Sequence, residues 1–288
     1  MNIDWFQVPH DRVIKLKEFD TSFTGEFTNK EEAKEKLQKD IQEMARLQDM
    51  LYASNKFGLL LVFQAMDAAG KDGTIKHVMS GINPQGCEVY SFKSPSHEEL
   101  DHDYLWRCSK RVPEKGRIGI FNRSYYEEVL VVRVHPELIQ YQNLPSFNNS
   151  DVFWEKRYKE INNFEKYLTN NGILVLKFFL NVSKEEQKRR FLERINNEEK
   201  NWKFSTADIK ERNHWEDYQL AYEIMFNKTS TEYAPWYIIP ADKKWFTRAA
   251  VSEIIVRTLQ DMKLEYPTVS EEHKSELKKI KKDLESEK

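Results

Sequence analysis

Cysteine, glycine and proline are all scarce in this 288-residue sequence. Its two cysteines, Cys87 and Cys108, cannot build a disulfide framework or a four-thiolate zinc site, which favours a reducing compartment. Nine glycines and nine prolines exclude collagen-like and wholly disordered classes. Basic residues are not in excess, since 45 Lys and Arg stand against 47 Asp and Glu, and the net charge of −2 gives no sign of nucleic-acid binding. We expect an ordinary cytoplasmic globular protein.

Long apolar runs are also missing. The segment GLLLVF, which begins at Gly58, is far shorter than the roughly 20 residues that cross a bilayer, and the opening MNIDWFQVPHDR does not resemble a signal peptide. No membrane partner is expected. We predict a single domain over residues 1–288, with an N-terminal arm at 1–28, a polar and aromatic helical lid near 196–234 that stands off the sheet, and a charged tail at 267–288.

Strand-like and helix-like segments alternate along the chain. The apolar residues of FGLLLVFQA are continuous, which indicates a strand buried on both faces and thus a parallel sheet. Further strands are predicted at residues 87–92, 116–121, 173–180 and 236–240. Helices are predicted at residues 28–54, with Thr28 and Glu31 as a capping box, and at 97–111, 124–134, 151–169, 184–195, 206–233 and 249–266. This alternation predicts an α/β fold with a doubly wound parallel sheet.

A phosphate-binding loop is predicted directly after the first buried strand. Gly70 and Lys71 open a helix there, and the N–H groups and positive dipole of a helix start suit phosphate oxygens. The generic G-x-x-x-x-G-K-[ST] pattern is broken at Ala65 and Asp72, so a plain strand-to-helix turn is the alternative. Asp67 favours the functional interpretation, because a carboxylate in such a turn would repel phosphate unless a divalent cation lay between them.

A second group of candidate residues follows the strand GRIGIF. Asn122 occupies the position at which phosphate-loop folds usually carry an acidic Mg²⁺ ligand. Arg123 follows at the carboxyl end of a strand, where such folds bind ligands, and its guanidinium suits a phosphoryl group. The alternative for Arg123 is a surface ion pair with Glu127 or Glu128.

Cations also cluster on the helices predicted after the fourth strand. Arg190 and Arg194 lie four residues apart on one helix face, which either presents guanidinium groups to a polyanion or is merely solvated. In the predicted lid, cationic and aromatic side chains either bind a nucleotide or pack the lid onto the body. These residues are Lys203, Arg212, Trp215 and Tyr218.

Four segments together closely resemble the family-two polyphosphate kinases. They are QAMDAAGKDGTIKHVMSGINPQG, FNRSYYEEVLVVRVHPE, NVSKEEQKRRFLER and TADIKERNHWEDYQLAYEIMFNKTSTEYAPWYIIPADKKWFTR, and the similarity extends from about Asp11 to Leu264. The resemblance implies a phosphate-loop kinase-like three-layer α/β/α core with a parallel sheet and a helical lid. It also implies reversible phosphoryl transfer between inorganic polyphosphate and nucleotides. The chain looks most similar to the class that accepts both AMP and ADP.

The cofactor and partners follow from the same resemblance. Mg²⁺ is the expected metal, with Mn²⁺ as its alternative. The expected nucleotides are AMP, ADP and ATP, with guanine nucleotides as a further option. The resemblance also implies a homo-oligomer, either a dimer or a tetramer.

The candidate site residues fall into three groups, most of which the resemblance implies. Asp67, Lys71 and Arg123 are catalytic, and Asp67 bridges the metal and the phosphates. The nucleotide-binding residues include Glu127, which falls where ADP-preferring relatives carry Asn; the group is Asn122, Glu127, Lys203 and Arg212. The polyphosphate-binding residues are Ala68, Ala69, Gly70, Asp72, Gly73, Lys76, Arg133, Arg190 and Arg194.

Two other functions fit part of the pattern. An ATP-dependent nucleoside monophosphate kinase of the thymidylate-kinase type shares the fold and lid, but its phosphate loop should carry Gly and Ser or Thr where this chain has Ala65 and Asp72. A non-catalytic protein that only binds nucleotide or polyphosphate is opposed by the joint presence of Asp67, Lys71 and Arg123.

Overall fold

The computed structural model describes residues 1–203 and 205–287, without the side chains of Lys200 and Lys203. Within them, five parallel strands form one sheet in the order β2, β3, β1, β4, β5. The strands are β1 (Gly58–Gln64), β2 (Cys87–Ser91), β3 (Ile118–Asn122), β4 (Ile173–Asn181) and β5 (Trp236–Pro240). The α-helices are α1 (Lys30–Ser54), α2 (Lys71–Val78), α3 (His97–Leu100), α4 (Trp106–Ser109), α5 (Val131–Val134), α6 (Asp151–Asn170), α7 (Lys184–Ile195), α8 (Thr206–Asn213), α9 (Trp215–Thr229), α10 (Lys244–Asp261) and α11 (Glu271–Ser286).

Helices flank the sheet and bury its central strands. Every residue of β1 is buried, and so are all but one in β4, as the continuous apolar runs predict. Among the helices, α10 packs against α1 and α2, while α6 packs against α9 and against strand β4. The predicted α/β fold with a parallel sheet is confirmed.

The strand order places a ligand crevice at the carboxyl ends of the central strands. The chain leaves β1 towards the β2 edge and leaves β4 towards the β5 edge. Adjacent strands whose connections diverge in this way open a crevice between the loops that follow them. The predicted phosphate loop follows β1, and Arg123 follows the neighbouring strand β3.

Tertiary contacts shorten several predicted helices. Residues 97–111 contain only the short helices α3 and α4, and residues 124–134 form a 3₁₀-helix, Tyr125–Val129, followed by α5. The 3₁₀ segment is drawn inward because the hydroxyl groups of Tyr125 and Tyr126 both donate to buried Glu165. The capping residue of α1 also differs from the prediction, since Asn29 accepts from the Glu32 N–H.

The predicted lid is partly core, which corrects the expectation that residues 196–234 stand off the sheet. His214 separates α8 from α9, and the inward face of α9 is buried from Trp215 and Tyr218 to Phe226. Trp215 and Tyr218, the aromatic residues singled out in the predicted lid, therefore pack that segment onto the body.

The ends of the chain behave differently from each other. The arm lies along β5, where Val8 N donates to Trp236 O at 2.8 Å and Ile238 N donates to Phe6 O at 2.7 Å. In the tail, α11 is exposed along its length. No helix within the described ranges combines the length and the apolar composition needed to cross a membrane.

Candidate active site

The loop between β1 and α2, residues 65–70, has the backbone of an anion-binding turn. Ala68 and Gly70 have φ of +61° and +110°, whereas the φ of Ala69 is not positive. Alternation of this kind turns successive N–H groups towards one point, and the positive end of α2 adds to the same field. The geometry therefore suits the phosphate contacts predicted for the loop and for Gly73 in the first turn of α2.

Two side chains of α7 hold the carbonyl groups of this loop. Gln187 Nε2 donates to Asp67 O at 2.9 Å. Arg190 Nη1 donates to Ala68 O at 3.0 Å and to Ala69 O at 2.6 Å. Sequence reasoning missed Gln187, although it lies three residues before Arg190 and hence on the same helix face.

Arg190 is a buried structural residue, which corrects the prediction that it binds polyphosphate. Its exposed fraction is only 3%. Besides its loop contacts, Nη2 donates to Ala241 O at 2.6 Å and Asp242 O at 3.2 Å, and Nε donates to Glu186 Oε1 at 2.7 Å. All of its N–H groups thus have protein partners, so none is available to a polyanion.

Lys71 lies in the first turn of α2 and has few protein contacts. Its Nζ donates to Ala65 O at 2.8 Å, the only hydrogen bond it makes to the described residues. Burial, and then the nearby charge of Arg123, lower the pKa of Lys71, while Asp67 and Glu127 oppose the shift. Two ammonium N–H groups therefore remain for a ligand.

Arg123 is held in an unusual backbone conformation at the end of β3. Its φ is +63°, and its N–H donates to Phe63 O of β1 at 3.0 Å. Its Nη2 lies 3.2 Å from Asp67 Oδ1, with exposed side-chain fractions of 41% and 28%. The carboxylate that pairs with Arg123 thus belongs to the phosphate loop, and not to Glu127 or Glu128 as the alternative supposed. Strained residues persist where the surroundings impose them, commonly at active sites.

Asn122 and Glu127 lie on either side of Arg123 in the sequence and have different surroundings. Asn122 Nδ2 donates to Asp72 Oδ1 at 2.7 Å, which supports the first turn of α2. Burial raises the pKa of Glu127, while Arg123 and Lys71 oppose the shift. The carboxylate of Glu127 therefore lies near both cations.

A cavity of about 280 Å³ opens beside Arg123 and Glu127. Its wall combines apolar and aromatic side chains with charged and polar ones, a combination found in small-molecule sites. The apolar and aromatic lining includes Leu100, Tyr104, Val131, Val132, Leu138 and Tyr141.

Residues of α8 attach this helix to both sides of the site. Arg212 Nη1 donates to Lys184 O at 2.9 Å and to Gln187 Oε1 at 2.6 Å. The Nη1 group of Arg212 thus docks α8 on α7, and the nucleotide-binding role of this residue stays a prediction. On the other side, Glu211 Oε2 lies 3.0 Å from His135 Nε2. The side chain of Lys203, also predicted to bind nucleotide, lies outside the described part of the chain.

The remaining predicted polyphosphate ligands are spread over three helices. Lys76 is exposed on α2, one turn beyond the loop. Arg133 packs on α6, with its guanidinium carbon 5.1 Å from the Trp154 ring centre. Arg194 is half-buried, with its guanidinium 5.8 Å from the Phe191 ring centre. A row of successive phosphate contacts on α7 is thus not formed, since Arg190 is buried.

Asp67 is the candidate ligand for a divalent cation at the phosphate loop. The described residues contain no group of three or more His, Cys, Asp and Glu that could hold a metal by itself. Mg²⁺ in phosphoryl-transfer sites is usually held by one or two carboxylates together with substrate phosphates and water. Asp67 is partly exposed within the phosphate loop, so it fits this requirement.

A parallel sheet, an anion-binding loop after its first strand and an Arg–Asp pair at the same edge define a phosphate-loop phosphotransferase fold. Comparison with family models narrows this class. Residues 27–267 match the family described as "Polyphosphate kinase 2", and the chain belongs to this family.

Individual relatives support the same family over nearly the full chain. An "ADP-polyphosphate phosphotransferase" of Rhodopseudomonas palustris is 49% identical over 280 residues, covering 97% of each chain. An "AMP/ADP-polyphosphate phosphotransferase" of Meiothermus ruber is 46% identical over 91% of this chain and 94% of its own. The crystal structure of polyphosphate kinase 2 from Arthrobacter aurescens TC1 superposes with a TM-score of 0.85 at 39% identity, covering 92% and 91% of the two chains.

Proposed function

We propose that this protein transfers the terminal phosphoryl group of inorganic polyphosphate to AMP and ADP, forming ADP and ATP reversibly. The observation that carries the proposal is the meeting of Asp67, Lys71 and Arg123 around the anion-binding loop. Family membership and the printed activities of the relatives support polyphosphate and adenine nucleotides as substrates. A cytoplasmic location and a homo-oligomeric state remain predictions.

The chemistry requires charge neutralisation above all. An oxygen of the acceptor's terminal phosphate attacks the terminal phosphorus of the chain, and the bridging P–O bond breaks so that the shortened polyphosphate leaves with the bonding pair. Both reactants are polyanions, so the oriented loop N–H groups, Lys71 and Arg123 stabilise the in-line transition state. These groups stabilise the negative charge of the transition state by hydrogen bonding and electrostatics, and none of them transfers a proton.

Asp67 is the residue that would hold the metal. Mg²⁺, or Mn²⁺ in its place, supplies positive charge between the phosphates when bound. The Arg123 guanidinium at 3.2 Å keeps the Asp67 carboxylate oriented at the loop.

The cavity beside Arg123 is the proposed acceptor site. The apolar and aromatic part of its wall suits a base, and Glu127 is among its charged lining residues. A carboxylate near Lys71 and Arg123 offsets part of their charge, which lowers the attraction for ADP more than that for the less highly charged AMP. We propose that α8 belongs to the lid of this site, since α9 is core, and that the lid would keep water from the phosphoryl group.

The decisive assay supplies long-chain polyphosphate and a Mg²⁺ salt as the only phosphoryl source, with adenylate kinase inhibited. We expect ADP from AMP and ATP from ADP. Product from ATP plus AMP but none from polyphosphate would support the nucleoside monophosphate kinase instead, and binding without product would support the non-catalytic alternative.

Glu127→Asn tests the dual specificity. We expect the ratio of the KM for AMP to the KM for ADP to rise about tenfold, because loss of the carboxylate strengthens the attraction of Lys71 and Arg123 for the more highly charged ADP more than for AMP. Equal changes in both constants, or a wild-type protein inactive on AMP, would contradict the role given to Glu127.

A further inference from the structure

We propose that Gln187 and Arg190 are positioning residues that orient the phosphate loop, and that Arg212 links them to the lid. Together Gln187 and Arg190 form a carbonyl clamp, since they hold the three consecutive carbonyl groups of residues 67–69. The inference rests on the proposed function, because it gives the loop the task of binding phosphate.

The clamp fixes the direction of the loop amides. In a trans peptide the C=O and N–H groups point in opposite directions. Carbonyls held towards α7 therefore turn the N–H groups of residues 68–70 away from α7. The Ala69 N–H also reaches Met66 O at 3.3 Å, which leaves those of Ala68 and Gly70 as the freest donors.

The clamp also opposes relaxation of the loop. Ala68 has φ of +61°, a region that a residue with a Cβ avoids unless its surroundings impose it. The peptides on both sides of the Ala68 Cα are held, because Gln187 Nε2 bonds the carbonyl of the 67–68 peptide and Arg190 Nη1 bonds that of the 68–69 peptide. Without these bonds, Ala68 is free to return to negative φ and to rotate the adjoining peptides away from the phosphate.

Gln187 connects the clamp to α8. Its amide nitrogen donates to Asp67 O, and its amide oxygen accepts from Arg212 Nη1 at 2.6 Å. Gln187 is 1% exposed, so no water competes for these bonds. A buried donor–acceptor chain of this kind strengthens cooperatively, and displacement of α8 therefore weakens the hold on Asp67.

Two variants at Gln187 test the effect of the clamp on the loop without unfolding the protein. Gln187→Glu keeps the acceptor for Arg212 but replaces the donor to Asp67 O with a carboxylate oxygen that repels it. We expect a folded protein whose kcat falls about 10- to 100-fold, as for other residues that orient a ligand-binding group. Its affinity for tripolyphosphate, measured by calorimetry, should fall while the KM for ADP stays near the wild-type value. Gln187→Met, which lacks both polar atoms, should give the same pattern.

The matched control is Arg189→Met. Arg189 pairs with Glu186, as Arg190 does, but its side chain is 60% exposed, and its hydrogen bonds and ion pairs within the described residues are to Glu186 and Glu193. Its kcat and tripolyphosphate affinity should stay within about twofold of wild type, since exposed ion pairs contribute little. A folded Gln187→Glu protein with both values as close to wild type as this control would overturn the clamp. So would losses that merely follow the fraction of folded protein.

The link to the lid has its own test. In a double-mutant cycle of Arg212→Met and Gln187→Met, we expect the combined loss of tripolyphosphate affinity to be smaller than the product of the single losses. Independent, multiplicative losses would overturn the coupling. A wild-type protein that binds tripolyphosphate but transfers nothing to nucleotides would refute the proposed function and leave the clamp testable through binding.

Discussion

Two lysines, Lys177 buried and Lys71 half-buried, show how this fold separates stabilising from reactive charge. Lys177, in β4, is fully buried, and its Nζ donates to Glu165 Oε2 at 2.6 Å, Tyr126 OH at 2.9 Å and Thr229 O at 2.7 Å. Lys71, at the carboxyl end of the same sheet, has a single backbone acceptor. Burial lowers the pKa of both lysines. Of the two, Lys177 alone donates a hydrogen bond to a carboxylate among the described residues, and this bond compensates its buried charge.

The difference lies in what completes each site. The protein itself supplies the counter-charge and acceptors of Lys177, which therefore joins β4 to α6 and to the end of α9. The surroundings of Lys71 leave donors unused, and the neighbouring cation Arg123 adds to the cost. An incomplete positive site is costly to the free protein but suits a polyanionic ligand.

The largest effect on stability is expected from Lys177→Met. This change leaves Glu165 buried without its cationic partner, which typically costs about 3–5 kcal/mol. Urea unfolding should show this loss, and Lys177→Met/Glu165→Gln should recover part of it because the neutral amide can still accept from the tyrosines. A single variant as stable as wild type would mean that the two lysines do not differ as described.

Lys71→Met should produce the opposite pattern. We expect kcat to fall by about 10²- to 10³-fold, the usual cost of removing one transition-state contact. The melting temperature should not decrease, since an incompletely compensated charge is removed. Steady-state kinetics and thermal unfolding on one preparation test both parts. Near-wild-type turnover would remove Lys71 from the catalytic group.

The smallest effect concerns pH. The folded-state pKa of Glu127 is raised above its ordinary value of 4.5, so the folded state binds more protons between these two values and stability falls as the pH rises through this window. Glu127→Gln should therefore melt at a higher temperature than wild type at neutral pH. The difference should shrink as the pH approaches 4.5. A constant difference across pH would show that the carboxyl group is not the cause.

Local patterns predicted the strands and the phosphate loop well. The continuous apolar run from Gly58 indicated β1, and the Gly70–Lys71 pair marked the start of α2. The strand after residue 172 and the last strand were also placed within a residue. These features depend on neighbours in the chain, which a sequence displays directly.

Partners distant in the sequence explain the errors. The charged face of α7 resembles a solvated surface, yet Arg190 is buried because the carbonyl groups of a loop some 120 residues away accept its hydrogen bonds. The tyrosines after Arg123 form a 3₁₀ segment because Glu165 accepts from both hydroxyl groups.

The sequence by itself determined which residues can carry phosphate chemistry and which strand precedes them. Only the tertiary structure decided which cations are free for a ligand, since that depends on whether another segment supplies acceptors to each of them. Lys71 and Arg190 are both basic residues predicted to bind phosphate. The packing of α7 places Arg190 against two loop carbonyl groups that accept its hydrogen bonds. Lys71 has a single hydrogen-bond acceptor, the carbonyl of Ala65, within the described residues. A charged side chain becomes structural when the fold satisfies all of its hydrogen bonds, and it stays available when the fold does not.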